Sequence, residues 1–304
     1  MKTRRLVAAF LIALLAMTVA PVHAADPVTK CRSTIVKAAT QLLSLHAKAL
    51  AKCMKQPAHH LSPAASCPDP RASLVTAKAE AKLRTAIDKA CGGRDKVCGG
   101  SELDVGLLEI GWGIGSCDQT GSASCGNVIN DCAGVATCVV CLAEQGVAEA
   151  LSLFSGRPAV DPHAQPALAE CLDAITVGSI KSFTKVAKGI GDCWLKVSGT
   201  GSGGSFSCPN RGASIAAGKA KAVHLASVCR ACGGTNRKCN GGDDFTLAAV
   251  GFPTSCPAIA SCGGAVQTLQ DLTNCADCVG HALMDAAVRR TIPQFSSAPP
   301  SCTP

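Results

Sequence analysis

The sequence is poor in aromatic residues. Its 304 residues contain no tyrosine, two tryptophans and seven phenylalanines. Few large apolar side chains are therefore available for burial, and disulfides are expected to supply part of the stability. The formal net charge is +8, but a nucleic-acid-binding surface needs a dense basic face interleaved with aromatic residues. The composition therefore predicts no nucleic-acid partner.

Beyond its N-terminus the chain also lacks a long apolar segment. Basic residues at positions 2, 4 and 5 precede an apolar run from Leu6 to Ala20, and Val22-His23-Ala24 fits the cleavage site of a secretory signal peptide. No later stretch approaches the roughly 20 apolar residues of a membrane-spanning helix. We therefore predict that residues 1–24 are a signal peptide and that the mature chain is secreted or periplasmic, with no transmembrane segment.

Sequence signatures of catalysis are missing as well. There is no nucleophile elbow within a Ser-His-Asp order, no H-E-x-x-H motif, and no carboxylate pair that occurs twice in the chain. Alternation of apolar and polar residues with a period of two is also rare, which predicts little or no sheet. These absences favour an all-α protein without catalytic function.

Cysteine, in contrast, is abundant, and its spacing predicts a tandem duplication. An exported chain with 21 cysteines is expected to form disulfides, because only a reducing compartment would keep them as thiols. The segment from Cys91 to Gly100, which begins Cys-Gly-Gly, returns as the segment from Cys232 to Gly242. In this register nine cysteines correspond: Cys31 with Cys171, Cys53 with Cys193, Cys67 with Cys208, Cys91 with Cys232, Cys98 with Cys239, Cys117 with Cys256, Cys125 with Cys262, Cys138 with Cys275, and Cys141 with Cys278.

Each copy is expected to contain an antiparallel helical hairpin followed by shorter helices. The first two cysteines of each copy lie 22 residues apart on one face of a helix, predicted over 29–55 and 169–196. Asp69 and Asn210 suit the N-cap of the second helix, and the Cys-Gly-Gly glycines suit its left-handed C-cap. Its buried face is predicted from Leu74, Ala81, Ile87, Ile215, Ala222 and Val228, and that of the first helix from Ile35, Ala38, Leu42, Leu45 and Ala49.

The same reading divides the chain into segments. A short helical segment ending in Gly111-Trp112 or Gly251-Phe252 is expected to bring an aromatic side chain to the core, and Cys138 and Cys141 are expected near the start of a last helix. The predicted segments are the signal peptide 1–24, module one 25–157, a proline-rich linker 158–167, module two 168–294 and a disordered tail 295–304.

The hairpin geometry predicts four disulfides, Cys53–Cys67, Cys31–Cys91, Cys193–Cys208 and Cys171–Cys232. Cys132 has no counterpart in the second copy, and Cys229 has none in the first. In one account, each module has four bridges common to both copies, and its ninth shared cysteine bonds the cysteine that is private to that copy. Cys302 is then left as a free thiol. The other account links the modules through Cys132–Cys229. On the first account the structural disulfides use Cys31, Cys53, Cys67, Cys91, Cys98, Cys117, Cys125, Cys132, Cys138, Cys141, Cys171, Cys193, Cys208, Cys229, Cys232, Cys239, Cys256, Cys262, Cys275 and Cys278.

Several motifs invite chemical hypotheses that their context disfavours. The C-x-x-C pairs 138/141, 229/232 and 275/278 have the spacing of redox-active thiols, but no strand precedes them. His281 beside Cys278, and His59-His60, are weak metal candidates, while Gly199–Gly204 and Gly212–Lys219 only resemble phosphate-binding loops. The acidic residues Glu102, Asp104, Asp243 and Asp244 are interpreted as helix N-caps. We predict no catalytic residue, no metal ligand and no cofactor.

The function predicted from these observations is that of an exported, disulfide-rich, non-enzymatic structural or binding protein. Its two similar helical surfaces are expected to meet either a macromolecule or an apolar ligand held between helices. The alternative is a thiol–disulfide redox or metal-handling protein that uses the C-x-x-C pairs.

Overall fold

The computed structural model describes residues 26–54, 67–100, 102–117, 125–154, 165–199, 208, 211–259 and 261–290. Within these ranges the protein is mostly helical, as predicted. The helices are α1 Pro27–Met54, α2 Pro70–Cys91, α3 Leu107–Ile110, α4 Cys132–Phe154, α5 Pro166–Gly199, α6 Arg211–Cys232, α7 Leu247–Val250 and α8 Leu269–Arg290. A small antiparallel sheet pairs β1 Ser255–Cys256 with β2 Gly264–Ala265.

Helices α1 and α2 form one antiparallel hairpin, and α5 and α6 form another. Helix α2 begins as the sequence predicts, because the Asp69 carboxylate accepts a hydrogen bond from the Ala72 amide at 2.6 Å and Pro70 occupies a first-turn position that needs no donor. Asn210, the predicted cap of α6, lies outside the described residues. The four hairpin helices match their predicted positions within a few residues, whereas α4 and α8 begin six residues before Cys138 and Cys275.

The loops after α2 and α6 begin with the same left-handed residues. Gly93 and Gly234 take the left-handed conformation at φ 60° and 57°, and so do the non-glycine residues Lys96 and Arg237 at 61° and 57°. The residue that caps α2, Gly92, is not left-handed, with φ −81°. The left-handed conformation therefore falls on Gly93, the second glycine of Cys-Gly-Gly, within the predicted C-cap.

The acidic residues of these loops do not cap helices, which corrects the prediction. Asp104 accepts from the Gly99 amide, and Asp243 accepts from the amide of Thr235 at 2.6 Å, so both carboxylates close the loop itself. The short helices begin later than expected, and the N-cap of α7 is Thr246. Hydrogen bonds from Thr235 lower the pKa of Asp243.

One hydrophobic core draws on both ends of the chain. Leu42, Ile87 and Val139 belong to the same cluster as Phe183 and Trp194. Helix α5 packs against α1, and α8 packs against α4 and α5. At the α1–α5 contact Gly191 lies against the Thr40 side chain, where a Cβ would meet Cγ2 at 2.9 Å. Residues 26–154, called the N-terminal half below, and residues 165–290, the C-terminal half, are therefore packed together.

The predicted buried faces are right in part. Trp112 and Phe252 are buried, as are Ile35, Leu42, Ile87 and Val228. Five predicted core residues are wrong, since Leu45, Leu74, Ala81, Ile215 and Ala222 are exposed. The buried face of α2 instead contains Ala72, Ala79 and Leu83, and that of α6 contains Ala213, Ala220 and His224. In the first half of each helix, alanines occupy the packed positions, and Leu74 and Ile215 point outward.

All four hairpin disulfides form as predicted, with Cα separations of 4.9 Å for Cys31–Cys91 and 5.9 Å for Cys53–Cys67, and 4.8 and 5.9 Å for their counterparts Cys171–Cys232 and Cys193–Cys208. Two further bridges occupy corresponding positions in both halves: Cys117–Cys138 with Cys256–Cys275, and Cys125–Cys141 with Cys262–Cys278.

The remaining two bridges differ between the halves. Cys98 pairs with Cys132, whereas its counterpart Cys239 pairs with Cys229. The shared ninth cysteine therefore has a private partner in each half, and a Cys132–Cys229 link is not formed. Cys302 lies outside the described residues. None of the described helices is long and apolar enough to span a membrane.

Candidate functional site

The cysteines of the C-x-x-C pairs are all bonded elsewhere. Cys138 and Cys141 reach separate partners on the preceding loop, and so do Cys275 and Cys278. Cys229 bonds Cys239. A redox-active pair needs to alternate between two thiols and one bridge within the motif. In this structure each motif instead fastens one helix to two different segments.

A buried polar network joins three helices of the C-terminal half. Nδ1 of His224 on α6 lies 3.0 Å from a carboxylate oxygen of Asp277 on α8, and Nε2 lies 3.4 Å from Oγ of Ser179 on α5. All three residues are at most 4% exposed. The Asp277 carboxylate favours a proton on Nδ1, so Nε2 can accept from the Ser179 hydroxyl.

The absence of a side chain at Gly178 makes room for this network where α5 and α6 approach closely. Gly178 faces the imidazole of His224, and a Cβ at Gly178 would overlap the ring carbon Cδ2 and lie 2.9 Å from Nε2. Only a residue without a side chain leaves space for the ring at this point. Gly178 and Asp277 thus fix the position of His224 from opposite sides.

The order Ser-His-Asp does not assemble a hydrolytic site here. Ser179 lies in the middle of α5, where backbone N–H groups are engaged in the i to i−4 ladder, so they are not available to stabilise an oxyanion. Its side chain is also buried beneath the helix pair. The arrangement can orient the imidazole of His224 between Ser179 and Asp277, which is a positioning role.

His224 also borders a groove of about 330 Å³ on the surface of α5 and α6. The Cys171–Cys232 disulfide joins the start of α5 to the end of α6 and marks one end of the groove. Glu170 and Asp173 lie with Arg230 at one end, and Lys181 and Lys185 lie at the other.

The groove wall contains a buried side-chain hydroxyl, that of Ser182. It is 3% exposed, and its hydroxyl has no hydrogen-bond partner within the described part of the chain. A buried hydroxyl without a partner costs about 1–3 kcal/mol. Positions 182 and 224 correspond to Leu42 and Leu83 in the cysteine register, so the N-terminal half has apolar residues where this groove has polar ones.

A second polar cluster lies in the N-terminal half, between α1, α2 and α4. His46, Glu80 and Glu144 each contribute one atom to a group in which all separations are within 4.8 Å. His46 is buried, the side chain of Glu80 is 26% exposed, and Glu144 is at the surface. Partial desolvation and the Glu80 carboxylate raise the pKa of Glu144, while Arg84 opposes that shift.

Neither polar cluster was predicted, because each draws single residues from three helices far apart in sequence. In the cysteine register, Ser179, His224 and Asp277 correspond to Ala39, Leu83 and Val140. His46, Glu80 and Glu144 correspond to Val186, Lys221 and His281. The predicted metal candidate His281 lies on α8, but the neighbouring Cys278 is oxidised. His59-His60 and residues 200–204 of the glycine-rich loop lie outside the described residues, and Lys219 is exposed on α6.

Comparison with known proteins assigns this chain to no family, so its class is described from its structure. The chain matches no known family model, no curated protein and no solved structure. The protein is a mostly helical, disulfide-rich protein, with ten disulfides among its described residues.

Proposed function

We propose that the protein is an exported, non-enzymatic binding protein whose disulfides hold a rigid helical frame around one ligand groove. The number of bridges suits an oxidising compartment, and the N-terminal leader motif supplies a route out of the cytoplasm. The bonding of every described C-x-x-C cysteine to a partner outside its motif favours this function over the redox alternative.

We also propose that the two halves descend from one duplicated module that diverged in its polar residues. Four disulfides recur at corresponding positions, and the loops after α2 and α6 share two left-handed positions, Gly93 with Gly234 and Lys96 with Arg237. The groove belongs to the C-terminal half because Ser182 and His224 replace leucines there. Divergence of one copy toward polar residues is the change expected when that copy acquires a ligand.

The unpartnered hydroxyl of Ser182 is the single observation on which the ligand assignment rests. With Lys181 and Lys185 beside it, the ligand best suited to this end of the groove is a small molecule with a carboxylate or phosphate group. A volume of about 330 Å³ lies at the small end of the range for ligand pockets. This chemistry fits a polar ligand better than an apolar one.

Calorimetric titration of the oxidised mature protein with succinate and with inorganic phosphate tests the proposal. We expect saturable binding of at least one of the two, weakened about tenfold or more in Ser182→Ala and in Lys181→Ala, since each variant removes a hydrogen bond to a charged group. Lys219→Ala removes an exposed lysine from the same hairpin outside the groove and serves as the matched control. Equal binding by all three variants would show that the anion does not occupy this groove.

A further inference from the structure

The cluster of His46, Glu80 and Glu144 has a geometry that hydrogen bonding does not explain. Nε2 of His46 lies 3.6 Å from Oε1 of Glu80, which is too long for a hydrogen bond between nitrogen and oxygen. Nε2 is nevertheless buried and has no partner among the described residues. A buried imidazole nitrogen directed at a carboxylate, but not bonded to it, is a costly arrangement for a purely structural role.

The same spacing is the one expected of two ligands on one metal ion. Zinc binds imidazole nitrogen and carboxylate oxygen at about 2.0–2.2 Å, and a tetrahedral angle between such bonds places the two ligand atoms about 3.3–3.6 Å apart. Glu144 adds a second carboxylate within 4.8 Å of the other ligand atoms. Its side chain lies at the surface, so it can close onto an ion by rotation and leaves an entry path.

We infer that His46, Glu80 and Glu144 form a binding site for a divalent transition-metal ion, with Zn²⁺ as the reference ion. One imidazole and two carboxylates suit zinc and its neighbours better than calcium, which favours oxygen ligands alone. Three protein ligands leave a fourth position for water. The site lies on α1, α2 and α4, and it is independent of the groove between α5 and α6.

Burial and charge both act on the cluster. Burial lowers the pKa of His46, although the Glu80 carboxylate opposes the shift. The main charge that would compete with a cation is the guanidinium of Arg84. Arg84 donates a hydrogen bond to the Thr137 hydroxyl at 2.9 Å, and its charge acts to lower the pKa of Glu144.

Zinc binding to the full-length mature protein tests the inference. The oxidised protein is prepared without a histidine tag, with Cys302 alkylated so that no thiol competes, and with bound metal removed by a chelator. Calorimetric titration with Zn²⁺ should show one site. Glu144→Gln should weaken it by at least about tenfold, since even the loss of an outer-shell partner costs 10- to 100-fold in affinity.

Two controls make the outcome decisive. Glu102→Gln removes one exposed charge from the same half outside the cluster and should bind Zn²⁺ like the unmodified chain, and His59→Ala with His60→Ala should also retain the site. His46→Gln should abolish binding, and if that variant does not fold, the surface variant Glu144→Gln still decides. Zinc should also raise the melting temperature of the unmodified protein but not that of Glu144→Gln. Absence of a zinc site in the unmodified protein, or equal affinity in Glu144→Gln, would overturn the inference.

Discussion

Replacing Gly178 by alanine should destabilise the protein, although alanine is the better helix former. A Cβ at this position overlaps the His224 ring, which cannot move aside without losing its 3.0 Å contact with Asp277. Overpacking of this kind costs about 1–3 kcal/mol, and an unpaired buried carboxylate or imidazole adds about 1–3 kcal/mol. Alanine returns about 0.8–1.0 kcal/mol through helix propensity. The expected net loss in the free energy of unfolding is about 1–5 kcal/mol.

Gly218→Ala is the matched control on the neighbouring helix. Gly218 is exposed in the interior of α6, and a Cβ there meets nothing within 4 Å. The same substitution should therefore stabilise the protein by about 0.5–1 kcal/mol. Urea unfolding of the oxidised chain, followed by the fluorescence of the buried Trp112 and Trp194, measures both changes. Equal stabilisation by the two substitutions would refute the close contact between Gly178 and His224.

Three further predictions concern the disulfides and the last helix. Full reduction should abolish cooperative thermal unfolding, because bridges closing separations from 10 to 61 residues are worth roughly 3–4 kcal/mol each; an unchanged melting curve of verified reduced protein would contradict this. Unfolded, unreduced protein should react with one equivalent of a thiol reagent, and Cys302→Ser with none; several thiols per chain would favour the redox alternative. Thr268→Ala should cost about 1 kcal/mol at neutral pH, because Thr268 caps α8 with Asp271 at 2.9–3.1 Å. Hydrogen bonds from Thr268 and Gln267 lower the pKa of Asp271. The stability that ionised Asp271 contributes is therefore present above its pKa in the unfolded chain, and it is lost as pH falls through its lower pKa in the folded protein. Melting curves near pH 7 and pH 3 should show a smaller effect of the substitution at the acidic pH.

The sequence contained enough information to predict the helical hairpins and most of the covalent frame. Cysteine spacing is a geometric constraint, so Cys31 and Cys91 could be paired from the ends of a hairpin alone. Even the difference between Cys132 and Cys229 followed from counting, because nine shared cysteines cannot pair among themselves. These predictions depend on distance along helices, which the sequence states directly.

The buried faces and the polar clusters required information that the sequence does not contain. Hydrophobicity placed Leu74 and Ile215 inside, but the tight α1–α2 and α5–α6 contacts select small residues such as Ala72 and Ala213. His224 lies on the same buried face as Ala213, a face that hydrophobicity alone does not mark. Clusters that take one side chain from each of three helices depend on how the helices cross, and the pattern along any single helix carries no trace of them.

The distribution of the disulfides has a consequence for how the molecule can be taken apart. Every bridge between described cysteines joins two residues of the same half, while the largest core cluster contains residues of both halves. A cut engineered between residues 154 and 166 would therefore produce two cross-linked fragments that share no covalent bond among the described residues. Mixing such fragments would allow the packing of α1 on α5 to be measured as an association constant. The two fragments would then form a split reporter that reassembles without any change in its disulfides.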